Sequence, residues 1–435
     1  MANDVGQNAE QLIGLKHVRD IAPYVGGKPI SEVAREFGLD ESKIVKLASN
    51  ENPLGMPESA KKAMAKAAED LGRYPDSNGF ELKNALATKL NVPVEWITLG
   101  NGSNDILELT ARAVAQEGDE VVFSKHAFAV YPLATQAVGA KAIEVAATAD
   151  FGHDLPAMLK AITAKTRLVF VANPNNPTGT FLKASEIEAF LQKVPEHVVV
   201  VIDEAYNEFL TPEQQYDAIA WVRKYPNVIV SRSFSKAYGL AGLRIGYGIA
   251  QNNITDLLNR IRQPFNVNSL AQAAAIAALA DSAFLKKCYD LNCAGYAQLT
   301  KAFDLMGLSY IPSSGNFVLV KVGEEPNAGA KVNLEYVGWV RDHVDPQFWS
   351  VYEYRVPRSR FSGDSLDGPF EDDGETPKTR NAVYSDNVSG NRAGESYVVN
   401  DEQVVETSVW DYDFSKVTML KIEFSWYDQS ILSSV

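Results

Sequence analysis

The segment Ser231–Gly248 (SRSFSKAYGLAGLRIGYG) holds the residues of this chain best suited to covalent chemistry. Lys236 offers a primary amine that can condense with a carbonyl. Ser233, Ser235 and, eight residues after the lysine, Arg244 add two hydroxyls and a forked cation, a set suited to holding a phosphate. The apolar run Val228–Val230 just upstream predicts a strand, so the lysine falls at the carboxyl end of a sheet, the edge where open α/β folds place ligands. Alone, Lys236 reads as an ordinary solvated lysine.

Its neighbours in the chain change that reading. In Val198–Phe209 (VVVVIDEAYNEF), Asp203 ends the most hydrophobic strand of the chain, where burying a carboxylate is costly unless a cation meets it. A pyridinium N–H is such a cation, and an Asp partner for that nitrogen is a requirement of pyridoxal-phosphate sites. Tyr206, three residues on, can hydrogen-bond a phenolic oxygen of the same ring; the plain alternative for Asp203 is a helix cap. Asn173–Gly179 (NPNNPTG) follows the apolar run Leu168–Val171 and forms a rigid turn from which Asn176 can aim its amide at a ring oxygen. Gly100–Asp105 (GNGSND) links a strand to a helix and leaves backbone N–H groups free for a phosphate. Phe128, in His126–Tyr131 (HAFAVY), can cover one face of a flat ring, although an aromatic there also suits a core.

The elements that must position these motifs follow from hydrophobic patterning. Strands are expected at Trp96–Leu99, Glu120–Phe123, Lys141–Val145, Leu168–Val171, Val198–Ile202, Val228–Val230 and Ile245–Ile249, with helical segments such as Ser185–Lys193 and Pro212–Arg223 between them. Strands separated by helices imply crossovers, hence an α/β fold with a mostly parallel central sheet covered on both faces. Val198–Ile202 lacks polar alternation, as a strand buried on both sides should. Helices are expected over Pro57–Gly72, capped by Gly72, and over about 283–306; Ile311–Val322 reads as a turn and a strand.

Composition sets the outer bounds. The 435 residues are 46% hydrophobic and 22% charged, ordinary for a globular chain of two or three domains. The net charge of −14 argues against nucleic acid as a partner. The longest mostly apolar run, Leu270–Ala280, is too short for a membrane span, and the first ten residues lack the pattern of a secretory signal. Cys288 and Cys293 fit neither a disulfide framework nor a metal or redox motif, which points to a reducing cytoplasm, and the five scattered histidines show no metal-ligand spacing.

Taken together, a phosphate cup, a stacking aromatic, an Asn turn, Asp-x-x-Tyr, Ser-x-Ser-Lys and a following Arg make an order and spacing that resembles the fold type I pyridoxal-phosphate aminotransferases. Within them the chain is most similar to the histidinol-phosphate aminotransferase family, through Pro23–Pro29 (PYVGGKP), Lys46–Gly55 (KLASNENPLG), Arg73–Asp76 (RYPD) and Ser314–Phe317 (SGNF), over about residues 15–330. The resemblance implies transamination between L-histidinol phosphate and 2-oxoglutarate, in histidine biosynthesis, with pyridoxal 5'-phosphate as cofactor. It implies that Lys236 holds the cofactor and later acts as the base, and that Asp203 keeps the ring nitrogen protonated. Asn176 and Tyr206 would bond the ring 3-oxygen, and Phe128 would stack on the ring. Ser103, Asn104, Ser233, Ser235 and Arg244 would hold the phosphate. Tyr74 would reach the phosphate of a neighbouring subunit in a homodimer, and Tyr24 and Asn316 would face the substrate. The catalytic set is thus Lys236, Asp203 and Tyr206, acting on a small-molecule amino donor and a 2-oxo acid.

The expected domains are an N-terminal arm with part of a small domain over 1–45, a large cofactor-binding domain over 46–282, the start of the small α+β domain over 283–325, and an atypical segment over 326–435. That last segment holds 10 of the 41 basic and 19 of the 55 acidic residues and four of the six Trp. It is loop-rich, with a strand-like alternation over Thr418–Trp426. The Leu-Arg-Ile-Ser/Thr-x-Gly pattern that carries the family's substrate arginine is missing from it, so no substrate arginine is assigned. The abrupt change in composition favours a foreign segment joined to an aminotransferase body over a rebuilt small domain. The alternatives are an aromatic amino acid aminotransferase, a pyridoxal-phosphate decarboxylase, and an impaired chimera that still binds the cofactor.

Overall fold

In the computed structural model the described residues are 14–22, 29–37, 40–41, 49–321 and 419–423. They fall into two compact units, one built from residues up to Val25, Leu54–Asp290 and Ser313–Gly315, the other from Gly26–Pro53, Leu291–Pro312 and the chain from Asn316 onward.

The first unit is organised by a seven-stranded sheet. Its strands are β1 (Ile97–Gly100), β2 (Glu120–Ser124), β3 (Lys141–Val145), β4 (Thr166–Ala172), β5 (Val199–Asp203), β6 (Val228–Ser233) and β7 (Gly246–Ile249), in the spatial order β1-β7-β6-β5-β4-β2-β3. The expected strands are all present, with ends moved by a residue or a few. Trp96 leaves the first of them for a 3-10 turn. The expected mostly parallel sheet is found: β2–β3, β2–β4, β4–β5 and β5–β6 are parallel, and β7 alone runs against both its neighbours. The short link from β6 to β7 holds no crossover helix, so β7 turns back beside β6 instead of crossing over the sheet.

Period-two alternation divides the core between two faces. Val200 and Ile202 of β5 pack with Val169, Val171, Val228 and Val230 in one cluster, while Val201 packs in a second with Ile106, Tyr131 and Phe170. The same alternation places Asp203 on the face of Val201 and Glu204 on the opposite one. There the Arg232 Nε donates to Glu204 Oε2 at 2.8 Å, an ion pair almost wholly out of water. The helix expected over Pro57–Gly72 is shorter, Glu58–Ala67 followed by a 3-10 turn Ala68–Asp70, so Gly72 does not cap it. The helix expected over Pro212–Arg223 begins only at Ala218, where Asp217 caps it by accepting the Ile219 N–H.

The second unit contains a three-stranded antiparallel sheet, β10-β9-β8, made of β8 (Tyr310–Ile311), β9 (Phe317–Lys321) and β10 (Met419–Glu423). The alternation expected over Thr418–Trp426 is therefore a strand at Met419–Glu423, whose five residues pair with Lys321 to Phe317. The rest of the atypical segment, 326–418 and 424–435, lies outside the described residues.

Candidate active site

Because β1, β2, β4, β5 and β6 run in one direction, their carboxyl ends share one edge of the sheet. That edge receives Gly100–Asp105, His126–Tyr131, Asn173–Gly179, Asp203 to Tyr206, and Ser233 to Lys236. The reversed strand β7 presents its amino end there, with Gly246 paired to Ser233, which returns Arg244 to the same edge. Six motifs scattered over more than 140 residues thus become neighbours through sheet direction alone.

Asp203 ends β5 and is only 4% exposed. The Tyr131 hydroxyl donates to its Oδ2 at 2.9 Å, whereas Oδ1 is buried with no hydrogen-bond partner among the described residues. Burial drives its pKa up to about 6, against the opposing pull of the Tyr131 hydroxyl and the Ala205 backbone N–H. A carboxylate kept so dry, with one oxygen unclaimed, is suited to a cationic N–H donor. Tyr131 was not among the expected site residues. It is fully buried, stacked on Phe170 with ring centroids 4.5 Å apart, and its own hydroxyl is held far above the ordinary range by burial and by Asp203. The only sequence signal for it is its place in HAFAVY, three residues after Phe128. Phe128 itself is half-buried and meets the edge of Tyr131 with centroids 6.0 Å apart.

Asn176 and Tyr206 come together, the Asn176 Nδ2 donating to the Tyr206 hydroxyl at 3.1 Å. The Lys236 Nζ lies 5.6 Å from the centroid of the Tyr206 ring, so amine and phenol face one space. The neighbouring Asn175 fixes the turn by donating to the His126 carbonyl at 2.7 Å and to Thr178 Oγ1 at 2.8 Å.

The expected phosphate residues also gather. Ser233 Oγ accepts the Ser235 N–H at 3.0 Å, and Arg244 Nη1 donates to Ser235 Oγ at 3.4 Å. Gly102, at φ +91°, would place a Cβ 2.5 Å from Arg244 Nη2, so only glycine lets the guanidinium lie against this turn. Ser103 opens the helix Ser103–Val114 and is buried, with Asn104 half-buried beside it. Gly246 lets the turn approach β7, since a Cβ there would sit 2.4 Å from the Ser103 nitrogen.

Tyr74 is 82% exposed and stacked on Phe265 with centroids 4.8 Å apart. Asn316 belongs to the second unit, where its Nδ2 donates to the Asn50 carbonyl at 3.2 Å. Tyr24 lies outside the described residues.

The aminotransferase class I and II family model matches residues 42–351. The histidinol-phosphate aminotransferase 2 of Ralstonia nicotianae is 70% identical over 321 residues, spanning 74% of this chain and 86% of that protein. The chain belongs to the histidinol-phosphate aminotransferase family. The histidinol-phosphate aminotransferase 1 of Cupriavidus pinatubonensis is 66% identical over 77% of this chain and 89% of its own. The crystal structure of the histidinol-phosphate aminotransferase from Sinorhizobium meliloti in complex with pyridoxal-5'-phosphate superposes with a TM-score of 0.68 at 30% identity, covering 76% of this chain and 88% of that one.

The enzyme is a pyridoxal-phosphate-dependent transferase, and its residues fit that cofactor. The unclaimed Asp203 Oδ1 can accept a ring N–H. The Gly102 turn, Ser235 and Arg244 form a cationic, N–H-rich cradle of phosphate character. Among the described residues there is no cluster of side chains able to hold a metal ion, and no helix long and apolar enough to cross a membrane.

Proposed function

We propose that this enzyme passes the amino group of L-histidinol phosphate to 2-oxoglutarate, giving imidazole acetol phosphate and L-glutamate. The observation that carries the chemistry is Asp203: a dry carboxylate with one unclaimed oxygen, at the same sheet edge as the amine of Lys236 and the Asn176–Tyr206 pair. The substrate rests on the 70% and 66% identity to proteins named for it.

Bound pyridoxal phosphate supplies an aldehyde that captures amines and a ring that accepts the electron pair left when a Cα–H is removed. Lys236 Nζ would hold the cofactor between turnovers and, once freed from it by the substrate amine, would act as the base that moves the proton between the substrate and cofactor carbons. Asp203 would keep the ring nitrogen protonated, with the partnerless Oδ1 available to accept its N–H, while Tyr131 holds the carboxylate through Oδ2. Asn176 and Tyr206 would hold the ring 3-oxygen, and Phe128 would cover one ring face. Ser103, Asn104, Ser233 and Ser235 would orient the phosphate and Arg244 would neutralise part of its charge, while Tyr24 and Asn316 would serve the substrate.

Residues 46–282 act as the large cofactor-binding domain, 1–45 as an arm and part of the small domain, and 283–325 as the start of the small domain. The working unit is a homodimer. The exposed Tyr74–Phe265 pair, with Phe80 63% exposed nearby in sequence, supports a partner surface and a Tyr74 that serves the neighbouring site. Cys288 and Cys293, neither of them in a disulfide, accord with a cytoplasmic enzyme.

The test is a single turnover of the cofactor-loaded full chain. L-histidinol phosphate should bleach the visible absorbance of the Lys236-bound cofactor with one equivalent of imidazole acetol phosphate formed. Faster bleaching by phenylalanine would reassign the enzyme to aromatic amino acids. Carbon dioxide release from an amino acid without an oxo product would make it a decarboxylase, and no bleaching by L-histidinol phosphate or by any amino acid would leave an impaired chimera.

A further inference from the structure

The phosphate-receiving turn is held by more than Arg244 and Gly246. Asp105 Oδ2 accepts the backbone N–H of Asn101 at 2.9 Å. The same oxygen accepts the Asn266 Nδ2 at 2.9 Å, and that amide also donates to the Leu99 carbonyl of β1 at 3.1 Å. The other end of the amide is occupied too: Asn266 Oδ1 accepts from Arg262 Nη1 at 2.9 Å. One side chain thus ties the end of β1, the first carboxylate of the helix Ser103–Val114 and the turn between them. It reaches across 161 positions of the chain to Asp105 and 167 to Leu99.

The turn needs such a clamp. Gly102 takes a positive φ, and the Gly102 N–H donates back to the Gly100 carbonyl at 2.8 Å, so the backbone N–H groups of Ser103 and Asn104 depend on a tight corner for their direction. Fixing Asn101 at the start of that corner restrains those N–H groups from rotating away. Preorganised donors bind an anion without first being ordered, which is where affinity is gained.

We propose that Asn266, acting through Asp105, is a positioning residue that shapes the phosphate cup and so sets how strongly the enzyme prefers a phosphorylated cofactor. Its amide is taken up by Asp105, Leu99 and Arg262. The proposal rests on the reading of Gly100–Asn104 as the phosphate-receiving turn. It therefore makes a selective claim: loss of Asn266 weakens the grip on the phosphate and leaves the grip on the ring and aldehyde, which belong to Asp203, Tyr206 and Lys236, as it was.

The experiment titrates full-length apoenzyme with pyridoxal 5'-phosphate and, separately, with pyridoxal, following the absorbance of the Lys236-bound form. The readout is the ratio of the two dissociation constants. Both ligands share the covalent link and the ring contacts, so the ratio isolates the phosphate. In Asn266→Ala the preference for the phosphorylated ligand should fall at least about tenfold, with pyridoxal binding changed less than about threefold. Asp105→Asn, which keeps the shape but weakens the acceptor for the Asn101 N–H, should lower the ratio in the same direction by a smaller factor and stands in if the alanine variant does not fold. A ratio equal to that of the unsubstituted enzyme, or equal weakening of both ligands, overturns the proposal, because a merely structural role would move both together. Absence of any phosphate preference in the unsubstituted enzyme would instead show that the turn is not the phosphate cup, and would remove this proposal along with that reading.

Discussion

Replacing the Asp203 carboxylate by an amide should make the apoenzyme more stable while nearly abolishing turnover. The residue is 4% exposed and its pKa rises from an ordinary 3.8 to about 6, with burial as the leading cause. A raised carboxyl pKa means that the folded state binds the proton more tightly than the unfolded state, so the charged group costs stability above the folded pKa and the cost is relieved as pH falls. At about 1.4 kcal/mol per pKa unit the cost at pH 8 is about 3 kcal/mol, and at pH 5 about half of that. An asparagine side chain is nearly isosteric and still offers an oxygen to the Tyr131 hydroxyl, so Asp203→Asn should recover most of this energy. Urea unfolding of both apoproteins at pH 8 and pH 5 measures it: the variant should be more stable by about 3 kcal/mol at pH 8 and by about half as much at pH 5. Single-turnover transamination by the loaded variant should fall by at least about 100-fold, the scale on which one preorganised electrostatic contact acts. A variant less stable than the parent at pH 8, or a stability difference independent of pH, would refute the picture of a carboxylate held dry for a cationic partner.

Arg232→Met should cost about 3–5 kcal/mol in urea unfolding, since it leaves Glu204, whose side chain is fully buried, without its cation; a loss under about 1 kcal/mol would show that the pair is wet. Gly246→Ala would set a Cβ 2.4 Å from the Ser103 backbone nitrogen, so it should raise the dissociation constant for pyridoxal phosphate at least about tenfold, measured by equilibrium titration. Mixing Tyr74→Ala with Lys236→Ala after partial unfolding and refolding should restore about a quarter of parental activity, the share expected if half the dimers are hybrid and each hybrid carries one intact site; no recovery would mean that Tyr74 does not serve a neighbour's site.

Much of the site was legible because its chemistry is local. Lys236 with its two serines, Asp203 with Tyr206, and the Asn176 turn each declare a residue type, a strand end and a spacing within a dozen positions. The unbroken apolar run Val198–Ile202 also foretold a doubly buried strand, and so the edge on which Asp203 emerges. The helix ends before the expected Gly72 because the chain closes its last turn in 3-10 form, a choice of backbone hydrogen bonds that residue identity constrains only weakly.

The sequence by itself determined the fold class, the motif order and which polar side chains stand at the strand ends, because these depend on alternation and on neighbours along the chain. Tertiary structure alone decided that β7 runs backward and so delivers Arg244 to the carboxyl edge of the parallel strands, that Tyr131 claims one oxygen of Asp203 from 72 positions away while leaving the other unclaimed, and that Asn266 bonds Asp105, which holds the Asn101 turn, from 161 positions away. Hydrogen bonds between distant side chains leave no periodic trace, since each requires only that two polar atoms meet once the sheet has set their directions.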